Sequence, residues 1–167
     1  MKYLQEFTLW LFVWLVAVIV GATIYQMVVL VPTVSSDLPS SLIAFNQNGI
    51  KPAVFWTSPV MPVGFLLGLL AAALHWRTAR RYWVLAAISL VILAEVFTVV
   101  YFLPRLSQMG FLLTGNAMLS DGAQLTRVTY EWMRADVLRF WVLLVPAFLC
   151  ALKALSTPFQ RLAEVNR

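Results

Sequence analysis

Charge is what this sequence has least of. Lys, Arg, Asp and Glu together make up 11% of its 167 residues, against roughly a quarter in an ordinary soluble domain. Hydrophobic residues reach 62%, and a water-soluble fold of this size could not bury that much apolar surface. Histidine occurs once, as His75, which excludes bis-histidine haem ligation, histidine-rich zinc or di-iron sites and the H-E-x-x-H motif. Cysteine also occurs once, as Cys150 inside an apolar run, so neither an intrachain disulfide nor a multi-cysteine metal site can form. Acidic residues number only seven. No phosphate-binding loop, nucleophile elbow or dinucleotide glycine fingerprint is present. Haem, flavin and tightly bound transition metals are therefore not expected: no cofactor and no metal ligand is assigned. The net charge of +5 comes from basic residues scattered between apolar runs, with Arg77, Arg80 and Arg81 as the one short group. Membrane proteins carry their charge in this way, and nothing points to nucleic acid.

What is present is a set of long uncharged runs. A helix needs about 20 apolar residues to cross the hydrocarbon of a bilayer, and residues 9–31 supply such a run without a charge. It is too long for the hydrophobic core of a signal peptide and has no small-residue cleavage site before Pro32, so it is expected to remain as the first span. Pro32 is expected to end it. The Ser-, Asn- and Pro-rich stretch that follows predicts a loop with a short interfacial turn around Leu42 to Phe45.

Further spans are expected at residues 53–76, 82–103 and 137–155. The second contains Pro59 and Pro62, which predict a kink, and the pair Gly64 and Gly68, whose G-x-x-x-G spacing permits close helix contact within the chain or in a dimer. The short Arg77 to Arg81 connection predicts an antiparallel hairpin with the third span, which Pro104 is expected to close. From Ser120 or Asp121 as N-cap, a helix with an apolar stripe at Leu125, Val128, Trp132 and Ala135 is expected to begin outside the membrane and run into the fourth span. The fold class is all-α: one domain, 1–167, an integral membrane four-helix bundle with its fourth helix extended beyond the bilayer. Under the positive-inside rule, Lys2, Arg77, Arg80, Arg81, Lys153, Arg161 and Arg167 place both termini in the cytoplasm, in a bacterial plasma (inner) membrane.

Glu95 interrupts the third span, and a carboxylate there costs about 2.5–3.5 kcal/mol on insertion scales unless it is paired, protonated or hydrated. It should face inward, towards Arg139, Tyr25 or Gln26. Arg139 enters the fourth span and shares a helix face with Trp132 and Asp136. Most Trp and Tyr residues fall near span ends, where anchoring at the headgroup level is the ordinary role. Tyr25 and Trp14 lie deeper, and the Tyr25 hydroxyl is expected to find a partner inside the bundle.

Gly21-x-x-x-Tyr25 followed by Pro32, Phe55-Trp56 with Pro59, Tyr101-Phe102-x-Pro104, and Trp132 to Arg139 occur in that order along the chain. In these motifs the sequence resembles a family of small four-span membrane proteins, largely of unassigned function, that includes the fungal anthrone oxygenases. The resemblance covers most of the chain, with one departure: Asp136 stands where the family favours Asn. It implies a cofactor-independent oxygenase acting on an apolar aromatic substrate; for such a reaction the residues themselves offer Glu95 as the base and the permanently charged Arg139 as partner of the resulting anion. Tyr25, Trp56, Tyr101, Trp132 and Asp136 would line the substrate site. Two other functions fit the same residues: an accessory or structural membrane subunit, and a small transporter or lipid-binding protein. The partners expected are the lipid bilayer, an apolar small molecule, and a second copy or a membrane complex.

Overall fold

The structure, a computed structural model, describes residues 2–47, 60–111 and 119–158. Those residues are almost entirely helical, with no strand among them. Helix α1 runs Lys2–Ser35, α2 Ser40–Gln47, α3 Val60–Leu74, α4 Arg81–Gln108 and α5 Gly122–Ser156. By length and composition α1, α4 and α5 are each able to cross a membrane, and α3 is a shorter apolar helix. Residues 53–59 of the expected second span, with Phe55, Trp56 and Pro59, lie outside the described residues.

Neither Pro32 nor Pro104 ends its helix. Each lies in the first turn of an α-helical segment that continues the rod, directly after a π-helical turn: Gln26–Leu30 before Pro32 and Thr98–Phe102 before Pro104. Phe140–Leu144 before Pro146 repeats the arrangement in α5. A proline inside an α-helix has no N–H to donate and its ring strikes the carbonyl one turn back. A π turn, with its i→i+5 spacing, moves that carbonyl aside and lets the helix continue. The residue that does stop α4 is Gly110, at φ 73°. Phe111 N–H reaches Leu106 O at 2.9 Å and Gly110 N–H reaches Ser107 O at 3.0 Å, the paired bonds of a Schellman motif. Helix α5 opens on Asp121, whose carboxylate accepts from Ala123 N–H and Gln124 N–H. It closes at Thr157, which is extended and precedes Pro158.

The long helices pack in sequence, α1 on α3, α3 on α4, α4 on α5, and α5 closes back on α1. Their contacts are lined by small residues: Ala71, Ala72, Ala87, Ala94, Ala147, Ala151 and Ala154 are buried. Gly68 serves the same purpose within the chain, since a Cβ there would stand 2.9 Å from Phe12 Cε2 and Ile88 Cδ1. Three apolar layers follow along the bundle. Leu9, Phe12, Val84 and Ile88 lie in the first, Ile19, Phe140 and Leu144 in the second, and Val34, Leu42, Phe102, Phe111, Leu125 and Trp132 in the third. The stripe expected on α5 is thus the side that packs: Leu125, Val128 and Trp132 are buried and Ala135 partly so.

One end of the bundle is tied by Arg80. Its Nη1 meets Glu6 Oε1 of α1 at 2.7 Å and its Nε donates to Thr157 O beyond α5 at 2.7 Å. Gln5 Nε2 donates to Leu74 O at the end of α3 at 2.6 Å. The start of α1, the Arg77 to Arg81 connection and the end of α5 therefore share one end of the molecule.

Candidate functional site

Between the second and third apolar layers the interior becomes polar. Asp136 of α5 is fully buried, at 0% exposure. Its Oδ2 accepts from Gln26 Nε2 of α1 at 2.6 Å and its Oδ1 from Arg139 Nη2 at 2.7 Å. Arg139 Nη1 donates to Thr98 Oγ1 of α4 at 2.7 Å, and the Thr98 hydroxyl in turn donates to Ala94 O at 2.8 Å. The guanidinium also lies over the Phe102 ring, 4.7 Å from its centroid, a cation–π arrangement. Buried charges persist only when paired and hydrogen-bonded, and this cluster meets both conditions with groups from three helices.

All of these groups belong to the π turns or to the helical turn before one. Gln26 and Thr98 are the first residues of theirs, and Arg139 immediately precedes Phe140. Single-turn π bulges concentrate at functional sites because they turn side chains that a regular helix would hold elsewhere.

Glu95 lies one turn before Thr98 on α4, half-buried. It lines a small cavity with Phe12, Leu15, Val16 and Ile19 of α1, Met61, Gly64 and Phe65 of α3, and Val91 of α4. The cavity is about 20 Å³, close to the volume needed to hold one water. Arg139 acts on Glu95 through its charge, but the ion pair of Arg139 is with Asp136. The Glu95 carboxylate makes no hydrogen bond or ion pair with the described residues.

The other residues singled out in the sequence divide. Asp136 and Arg139 are in contact, and Trp132 packs in the adjoining layer, edge-on to Phe111. Tyr101 stacks on Phe97 at 5.0 Å and lies beneath the Arg105 guanidinium at 3.6 Å, at the rim of that layer. Tyr25 is on the outer surface at 63% exposure, as is Trp14 at 64%. The inward group at that level is the neighbouring Gln26, because the helix turns Tyr25 away from the bundle. Trp56 lies outside the described residues. Thr98 is the member of the cluster that no motif indicated; the available signal was its place one turn beyond Glu95, with Pro104 ahead of it.

Among the described residues no three of His, Cys, Asp and Glu stand close enough to hold a metal ion. At the opposite end of the bundle His75 is fully buried, with Nδ1 donating to Ala71 O at 3.0 Å. Comparison of the chain with protein-family models, with curated proteins and with solved structures found no match.

Proposed function

We propose that this chain is an integral membrane protein, a four-helix bundle with both termini in the cytoplasm of a bacterial plasma membrane. We further propose that it is a cofactor-independent oxygenase of an apolar aromatic substrate, like the anthrone oxygenases whose motifs it resembles. Membrane insertion is supported by the outer faces of the helices, where Trp10, Trp14, Leu66, Val100, Leu138 and Leu149 are exposed. A contiguous apolar surface of this kind is foreign to soluble monomers.

The observation that carries the enzymatic reading is the contrast between the two carboxylates. Asp136 has both oxygens engaged, whereas the Glu95 carboxylate lines an apolar cavity and has no hydrogen-bond partner among the described residues. Glu95 is thus the group free to take a proton, and Asp136 the group that holds Arg139 in place beside it. An activated aromatic ketone gives up a proton from its methylene carbon to Glu95, and the enolate that forms is stabilised by the Arg139 charge. Dioxygen accepts the electrons at that carbon. After loss of the second hydrogen and O–O cleavage, one oxygen atom becomes the new carbonyl and the other leaves as water. Phe12 and Phe65, on the cavity wall, supply the aromatic surface, and Trp132 and Tyr101 pack behind the polar cluster.

A second reading is favoured by the size of the cavity. At about 20 Å³ it is too small for a tricyclic ketone without movement of α1 against α3, and a closed polar centre also suits an accessory subunit or a small transporter. Oxygen uptake by the purified protein in nanodiscs, supplied with anthrone, separates the two. The oxygenase reading expects uptake that Glu95→Gln abolishes. Absence of uptake and of anthrone binding rejects it in favour of the accessory or transport role, and a stoichiometric cofactor in the visible spectrum or by metal analysis rejects the cofactor-free mechanism.

A further inference from the structure

The two glycines of α3 face α1 one turn apart, yet their surroundings differ. At Gly68 the seam is sealed: an added Cβ would meet Phe12 and Ile88 at 2.9 Å. At Gly64 the nearest atoms are Leu15 Cβ and Cδ1 at 3.9 Å, an ordinary contact with room for a methyl group. Gly64 and Leu15 both line the Glu95 cavity, and so does Phe65, which is 42% exposed on the outer face. The cavity wall therefore includes a side chain, Phe65, that reaches the outer face of the bundle beside the contact of Gly64 with Leu15.

Along the bundle axis packed or hydrogen-bonded groups among the described residues flank the same cavity on both sides. Towards the Arg80 end stand Phe12 and Ile88, packed around Gly68, with Leu9, Val84 and Ala87 behind them. Towards the other end stands the cluster of Gln26, Thr98, Asp136 and Arg139, whose hydrogen bonds a water-borne molecule would have to break. Among the described residues, the cavity walls are apolar apart from Glu95.

From this geometry we infer that Glu95 is reached sideways from the bilayer, through the seam at Gly64 and Leu15, by an apolar molecule that carries one proton-donating group. The inference rests on the reading of Glu95 as the working carboxylate. It adds the route and the source of the ligand: a compound dissolved in lipid. Met61, an unbranched side chain on the cavity wall, and the rim ring of Phe65 are the groups that move aside.

A lipid-soluble carbodiimide tests this without relying on oxygenase activity. The O–H of the Glu95 carboxyl adds across the N=C=N group and the product rearranges to a stable N-acylurea, with no leaving group and no oxidant. In nanodiscs, dicyclohexylcarbodiimide should add one reagent mass at Glu95, as located by peptide mass spectrometry. Glu95→Gln should lose the adduct, and a water-soluble carbodiimide should leave Glu95 unmodified. Gly64→Leu should close the seam and lose the adduct, and Leu15→Ala, which only removes bulk, should speed its formation. Equal labelling by the water-soluble reagent overturns the inference. So does an unlabelled Glu95, or a labelling rate that neither seam variant changes. Labelling through the seam without oxygen uptake leaves the route standing and rejects the oxygenase; oxygen uptake with no labelling of Glu95 does the reverse.

Discussion

Gln26 and Asp136, on the first and last helices of the chain, are joined by a 2.6 Å hydrogen bond at the level where the π turns of α1, α4 and α5 meet. The bond occupies one carboxylate oxygen, and the other is left for Arg139. Charge, helix geometry and tertiary packing thus converge on Asp136.

Removing one partner of this pair should cost far more than removing both. Asp136→Ala leaves the Arg139 charge buried without its counter-ion, and such changes cost about 3–5 kcal/mol. The double variant Asp136→Leu with Arg139→Met should recover most of that loss. Unfolding free energies in detergent micelles measure both; a single variant within about 1 kcal/mol of the parent would show that the pair does not hold the bundle together.

The two glycines of α3 should respond differently to alanine. At Gly68 the new methyl group meets two buried side chains at 2.9 Å, and overpacking of this kind costs about 1–3 kcal/mol. At Gly64 the methyl group fits, and the lower backbone entropy of the unfolded chain should stabilise by about 0.4–1 kcal/mol. Thermal midpoints of the two variants should therefore move in opposite directions.

Arg80→Lys should loosen one end of the bundle although the charge is kept. Lysine can reach Glu6 or Thr157 O but cannot serve both, as the Nη1 and Nε of Arg80 do. Loss of one hydrogen bond to a charged group, about 1.5–3 kcal/mol, should appear as faster amide exchange in the last turn of α5 and the first turns of α1, with the middle of α4 unchanged.

Apolar run lengths and charge placement alone determined that the chain is helical and that α1, α4 and α5 are long and apolar enough to cross a membrane, because hydrophobicity and helical period are local properties of the sequence. The N-cap at Asp121, the α5 stripe through Trp132 and the tight hairpin after α3 were legible for the same reason, as was a contact between Asp136 and Arg139 three positions apart. Only the tertiary structure decided what the prolines do. Pro32 and Pro104 look like stop signals in a one-dimensional pattern, but π turns fitted against neighbouring helices absorb them, and the stop in α4 belongs to Gly110. Tertiary structure likewise turned Tyr25 outward and Gln26 inward, brought Thr98 to Arg139, and left Glu95 on a cavity rather than in the ion pair. A π turn adds a residue to one helical turn and so rotates the side chains on either side relative to each other. Which groups share the interior therefore depended on three such turns in register across separate helices, a relation that spacing along the chain does not contain.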